Sequence, residues 1–125
     1  MRVLLVDDEE ELVSTIAERL SYRGIDADWV TTAEEALERA DLEDYDVAVL
    51  DVKMPRIGGL ELKRLLEQKR PSMRFIFVTG HGSLDDFRAG VAEAGSVFYL
   101  AKPVGLEELV HKLREVLGME SEGEE

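Results

Sequence analysis

The sequence predicts a doubly wound α/β domain, a parallel sheet covered by helices on both faces. Three observations predict it. Short apolar runs alternate five times with stretches whose apolar residues recur at helical spacing. The connections between them are short, which suits crossover helices between parallel strands. Polar groups recur where the apolar runs finish: Asp7 and Asp8, Asp51, Thr79 and Lys102. In open parallel α/β sheets the functional crevice lies outside the carboxyl ends of the strands. Four of the five predicted strands therefore send chemistry to one edge.

The first strand is "RVLLVD" (2–7), an apolar run ending in acid, and the helix over 10–22 follows with Leu12, Val13, Ile16, Ala17 and Leu20 on one face. "IDADWV" (25–30) alternates apolar and polar residues, the pattern of an edge strand with one wet face. Thr31 or Thr32 caps a helix carrying Ala33, Ala36, Leu37 and Ala40, with Glu34 and Glu35 in its first turn. The third strand (46–51) contains the apolar run Val47–Leu50, which reads as buried on both faces and stops abruptly at Asp51. A helix of about 58–69 carries Leu60, Leu62, Leu65 and Leu66. "RFIFVT" (74–79) is the fourth strand, Ser83 caps a helix over 84–94, and "VFYLAK" (97–102) is the fifth strand. The last helix, 106–117, is amphipathic through Leu106, Leu109, Val110, Leu113, Val116 and Leu117.

A chain of 125 residues with 45% hydrophobic content suits one packed core, assigned to residues 1–118. Residues 119–125 are expected to form an acidic, disordered tail. No apolar stretch approaches the roughly 20 residues that span a bilayer. "MRVLLVDDEE" turns acidic too early for a signal peptide, so a cytoplasmic location is expected. The absence of cysteine excludes disulfides and thiolate metal sites. With 28 acidic against 15 basic residues, the net charge of −13 opposes direct nucleic-acid binding and attraction to anionic membranes.

Asp7, Asp8 and Asp51 converging without compensation would repel one another and force protonation. A hard divalent cation such as Mg²⁺ resolves this, because it takes carboxylate oxygens and keeps several waters. An isolated "DD" is more often a solvated turn or a helix cap, but here it shares an edge with a third carboxylate and a lysine. Lys102, before Pro103, supplies a mobile cation for Asp51 or an incoming phosphoryl oxygen. The Thr79 hydroxyl is placed to donate to an oxygen near Asp51. Phosphoryl transfer needs mainly positioning and charge neutralisation, which a metal, a lysine and a hydroxyl provide. A carboxylate can be the nucleophile and form an aspartyl phosphate, so Asp51 is placed to be phosphorylated. "PRIGG" then turns the backbone beneath it.

As a set, "LLVDDEE", "VLDVKMPRIGGLEL", "FVTGHGS" and "YLAKP" resemble the receiver domain of two-component response regulators, chemotaxis regulators included, over residues 2–117. The resemblance implies a flavodoxin-like fold with strand order 2-1-3-4-5 and five helices. It implies that Asp51 accepts a phosphoryl group from a sensor histidine kinase or a histidine phosphotransfer protein. It further implies that Asp8 and Asp51 ligate Mg²⁺ (Mn²⁺ could substitute), with the Lys53 carbonyl, and with Asp7 acting through water. Thr79 and Lys102 would bind the phosphoryl oxygens, and Tyr99 would be the switch aromatic, exposed at rest and turned inward as Thr79 moves. The Lys102–Pro103 peptide is expected to be cis. Lys53 and His81 occupy positions that tune phosphate lifetime in the family, although His81 also reads simply as an exposed loop histidine. The chain departs from the family in Gly58-Gly59, where a polar residue usually precedes the glycine, and this is expected to matter little. Arg56 is unremarkable, and Gly90 weakens its helix by about 1 kcal/mol relative to alanine.

The expected function is that of a signalling phosphoacceptor rather than an enzyme, assisting its own phosphorylation and dephosphorylation. Helix 10–22 would dock the kinase. The face built from helix 84–94, strand 97–102 and helix 106–117 would change its affinity for an output domain or protein, or for a second copy in a homodimer. The chain is expected to be a stand-alone receiver or a piece of a longer regulator. A flavodoxin-type carrier is disfavoured because "DDEE" would repel a flavin phosphate. A haloacid-dehalogenase-type phosphatase is disfavoured because Val52 and Lys53, not a second acid, follow Asp51. A phosphorylation-independent pseudo-receiver, working as a protein-interaction module, is the alternative within the same fold.

Overall fold

Strands that end at, or one residue before, a polar residue build the sheet. In the computed structural model, which describes residues 1–80 and 98–118, β1 (Arg2–Val6), β2 (Asp26–Val30), β3 (Val47–Asp51), β4 (Arg74–Thr79) and β5 (Phe98–Ala101) all pair in parallel. Their order is β2-β1-β3-β4-β5, the flavodoxin-like arrangement. The described helices are α1 (Glu10–Tyr22), α2 (Ala33–Leu42), α3 (Gly59–Lys69) and a C-terminal helix (Leu106–Val116). The expected helix over 84–94, with Ser83, Gly90 and His81, lies outside the described residues, as does the tail.

The strand period of two divides the core. Val3 and Leu5 of β1, Val47 and Val49 of β3 and Ile76 and Val78 of β4 point to one face, where α1 and the C-terminal helix cover them. Leu4, Val6, Ala48, Leu50, Phe75 and Phe77 point to the other, beneath the small residues Ala33, Ala36 and Ala40 of α2 and Leu62 and Leu66 of α3. The central strands are buried on both sides, so their sequences read as continuous apolar runs.

The edge strand β2 departs from simple alternation. Asp28 does not face open water: its Oδ2 accepts from Tyr45 Oη at 2.6 Å, Arg39 Nη2 at 2.8 Å and Arg2 Nη2 at 3.0 Å. Arg2 also pairs with Asp26 and Glu43. This cluster ties β1, β2, α2 and the loop before β3 together at the end of the sheet opposite the carboxyl edge. At the start of α2, Thr32 rather than Thr31 is the cap, accepting from the Glu35 amide at 3.1 Å. Glu35 reaches back to the Thr31 amide at 3.1 Å, so the two side chains satisfy donors on either side of the helix start. No described helix is long and apolar enough to cross a membrane.

Candidate functional site

Parallel pairing places the carboxyl ends of all five strands at one edge. Asp7 and Asp8 follow β1 directly, Asp51 and Thr79 are the last residues of β3 and β4, and Lys102 follows β5. Backbone bonds fix these exits: Asp7 N to Val30 O at 3.3 Å, Val52 N to Val78 O at 2.9 Å, and Lys102 N to Thr79 O at 2.9 Å. The crevice is thus held by the sheet itself rather than by a free loop. The Lys102–Pro103 peptide is cis.

Oxygen atoms of Asp7, Asp8 and Asp51 lie within 4.8 Å of one another. Asp7 and Asp51 are buried, at 7% and 4% exposure, while Asp8 is at the surface. Lys102 Nζ sits among the carboxylates, 3.2 Å from Asp7 Oδ2, 3.3 Å from Asp51 Oδ2 and 3.1 Å from Glu9 Oε1. The remaining lone pairs are aimed by backbone donors. Asp7 Oδ1 accepts from the Glu9 amide at 2.9 Å and Asp51 Oδ1 from the Lys53 amide at 3.2 Å.

One lysine does not neutralise this cluster. Burial and then the neighbouring Asp7 carboxylate push Asp51 up to about 6, against the opposing pull of Lys102 and the Lys53 amide. Burial disfavours the Lys102 ammonium, but Glu9, Asp7 and Asp51 together outweigh it and raise its pKa. A surplus of close carboxylate oxygens suits a hard divalent cation, and the donor set fits Mg²⁺. Thr79 is 1% exposed, and its hydroxyl donates to the Gly80 carbonyl at 3.0 Å. That contact replaces, in this state, the expected donation toward an oxygen near Asp51. Tyr99 stands on β5 at 38% exposure, and Lys53 is exposed two residues after Asp51.

The turn under Asp51 depends on three residues that the sequence underrates. Arg56 adopts φ 69°, a left-handed conformation that costs a non-glycine residue about 1 kcal/mol or more. Gly59 starts α3 against the end of β3, and a Cβ there would lie 2.4 Å from the Asp51 carbonyl oxygen. At Gly58 a Cβ would approach the Val52 carbonyl oxygen to 3.1 Å, so the glycine pair lets helix and strand meet closely. Gly59→Ala is expected to destabilise the fold by about 2–4 kcal/mol, because backbone and not a pliable side chain must move. Urea unfolding checks this; a loss below 1 kcal/mol would show that α3 slides away without resistance.

Glu9 was not legible as a member of the site. Its only signal is position: it immediately follows the aspartate pair, at the start of α1, where a short capping side chain is usual.

A doubly wound sheet whose carboxyl edge carries three convergent aspartates beside a lysine suits a divalent cation and would repel a flavin phosphate. Residues 3–114 match the response regulator receiver domain, and the chain belongs to that family. It is 36% identical over 117 residues to the response regulator MprA of Mycobacterium leprae, covering 94% of this chain and 51% of that protein. It is 37% identical to the transcriptional regulatory protein TrcR of Mycobacterium tuberculosis, covering 94% of this chain and 45% of that one. The chain therefore spans about half the length of these curated relatives. Among solved structures, a CheY-like response regulator receiver domain from Methanospirillum hungatei superposes with a TM-score of 0.83 at 31% identity, over 98% of this chain and 97% of that one. The receiver domain of the Francisella response regulator 1452 gives 0.79 at 27% identity, over 94% and 96%. The protein is a receiver domain of the two-component response regulators.

Proposed function

We propose that this receiver accepts a phosphoryl group on Asp51 from a phosphohistidine of a sensor histidine kinase or a histidine phosphotransfer protein, in a reaction that requires Mg²⁺ or Mn²⁺. The observation that carries the reading is the setting of Asp51: a buried carboxylate at the floor of the crevice, faced by Asp7, Asp8 and Lys102. Asp8, Asp51 and the Lys53 carbonyl would hold the metal, with Asp7 acting through water. When bound, it neutralises the carboxylates and the charge on the transferring oxygens. An Asp51 oxygen attacks phosphorus, the bond from phosphorus to the imidazole nitrogen breaks, and its electron pair returns to the ring. Lys102 then transfers from the carboxylates to a phosphoryl oxygen, and the Thr79 hydroxyl turns from the Gly80 carbonyl to another. Tyr99 follows Thr79 inward, with Lys53 and His81 setting how readily water reaches the phosphate.

The response is a shift between two arrangements of the surface carried by β5 and the C-terminal helix, with the segment 84–94 expected from the sequence to take part. That face controls an output domain or partner protein, or a second copy. The relative named a transcriptional regulatory protein supports an output in transcription, with nucleic acid read by another domain. Helix α1 is the surface for the kinase side. The acidic composition supports a cytoplasmic domain that touches neither membrane nor nucleic acid itself. Its part in turnover is to assist its own phosphorylation and dephosphorylation.

Intact-mass spectrometry after incubation with acetyl phosphate tests the reading. A gain of one phosphoryl mass with Mg²⁺, and none in EDTA, is expected. If no adduct forms and beryllofluoride with Mg²⁺ leaves the melting temperature unmoved, the domain is a pseudo-receiver acting through protein contacts alone.

A further inference from the structure

We infer that Glu9 is a positioning residue that tethers Lys102 in the unphosphorylated state and thereby slows acceptance of the phosphoryl group. The inference rests on Asp51 being the acceptor and concerns the regulation of that site.

Glu9 occupies the cap position of α1, with φ −90° and ψ 94°, yet its side chain makes no capping bond. A cap side chain ordinarily accepts from an amide two or three residues on. Here the carboxylate turns away from the helix and meets Lys102 Nζ at 3.1 Å. Its own amide donates to Asp7 Oδ1 at 2.9 Å. Glu9 is therefore fixed at its backbone by one site carboxylate and at its tip by the site lysine. Its contact with Lys102 links the start of α1 to the end of β5, 93 residues apart in the chain.

The buried carboxylates already provide Lys102 with two partners, Asp7 and Asp51. Glu9 adds a third from the rim, with a side chain 61% exposed. A phosphoryl group on Asp51 offers Lys102 a better acceptor, because its charge is larger and spread over several oxygens. Whatever Glu9 contributes to the resting position must be given up when Lys102 moves across. A contact made in the ground state and lost on the way to the transition state slows the step. Exposed pairs interact weakly, so the restraint is modest: about two- to fivefold in rate.

Two variants separate the tether from its charge. Glu9→Gln removes the charge at nearly constant shape. Glu9→Asp keeps the charge, but a side chain one methylene shorter caps the helix instead of reaching Lys102. Initial rates with acetyl phosphate at saturating Mg²⁺ are read by intact mass. In parallel, reductively ¹³C-methylated protein in EDTA reports the Lys102 resonance by NMR, assigned with Lys102→Arg. Both variants are expected to accelerate phosphorylation about two- to fivefold and to shift the Lys102 resonance.

Unchanged rates with an unchanged resonance would overturn the tether, and a lowered melting temperature alone would make Glu9 a purely structural residue. Acceleration by Gln but not by Asp would also overturn it, since charge at the rim would then repel the anionic donor. Failure of the wild-type chain both to form an adduct and to respond to beryllofluoride with Mg²⁺ is a different result and removes Asp51 as acceptor. The metal-free resonance still decides whether Glu9 holds Lys102.

Discussion

Asp51→Asn is expected to abolish the phosphoryl adduct and, at neutral pH in EDTA, to stabilise the chain by about 2–3 kcal/mol. The stabilisation follows from the carboxylate's setting. Burial, then Asp7, raises Asp51 from its ordinary 3.8 to about 6 in the fold. Between those values the folded chain holds a proton that the unfolded chain has released. Stability therefore falls as pH rises through that window, and the loss is complete above it. Asparagine carries no charge and can still accept from the Lys53 amide at the position of Oδ1. The difference in melting temperature between variant and wild type should be near zero below pH 4, grow from pH 4 to 6, and hold level above. Saturating Mg²⁺ should stabilise the wild type more than the variant and narrow the gap. A difference independent of pH would mean that Asp51 ionises normally.

Lys102→Met should have the opposite sign in the same buffer. It leaves Asp7 and Asp51 buried without their cation, and removing one partner of such a group costs about 3–5 kcal/mol. The raised pKa of Lys102 keeps the ammonium charged across the neutral range, so the stabilisation it gives is fully present there. Protonation of the uncompensated carboxylates will recover part of the loss, and the deficit should shrink as pH falls. Mg²⁺ should do the same at pH 7, because the metal and the ammonium compete for the same oxygens. The variant is expected to bind Mg²⁺ about tenfold more tightly than the wild type. Asp51→Asn placed on Lys102→Met should restore more stability than it adds to the wild type, since the two residues are in contact. Additive effects in that double mutant would argue that Lys102 does not neutralise Asp51.

Most of the fold can be read from the sequence because each central strand is an apolar run stopped by a polar residue. β4 spans 74–79 as expected, and α1 spans 10–22. Strands β1, β2, β3 and β5 begin or end a residue inside the expected limits, although the Asp7 and Asp46 amides still donate to Val30 and Arg2 of the neighbouring strands. Pattern alone could not place Asp28, because its partners Arg39 and Tyr45 lie beyond the next helix start. The glycine pair was legible as a turn but not as a close approach of α3 to the Asp51 carbonyl. Composition likewise carries no trace of the left-handed Arg56.

The aspartates and Lys102 were legible for a different reason. A parallel sheet sends every strand's carboxyl end to one edge, so residues far apart in sequence are brought together by topology. Thr79 shows where that reasoning stops. Its position is set by the strand, but its hydroxyl has a choice of acceptors and in this state takes the Gly80 carbonyl. Glu9 shows the converse, a side chain whose role comes from a contact made across the crevice and not from a motif.

Under the proposed function, Asp51 itself carries the phosphoryl group. The most direct measurement is to treat the Mg²⁺-loaded chain with acetyl phosphate, reduce it with borohydride, and map the peptides by mass spectrometry. An acyl phosphate is reduced to the alcohol, so homoserine at position 51, and at no other aspartate, is the result expected. Homoserine at Asp7 or Asp8, or an unreduced peptide 47–63 in a chain that has gained the phosphoryl mass, would contradict it.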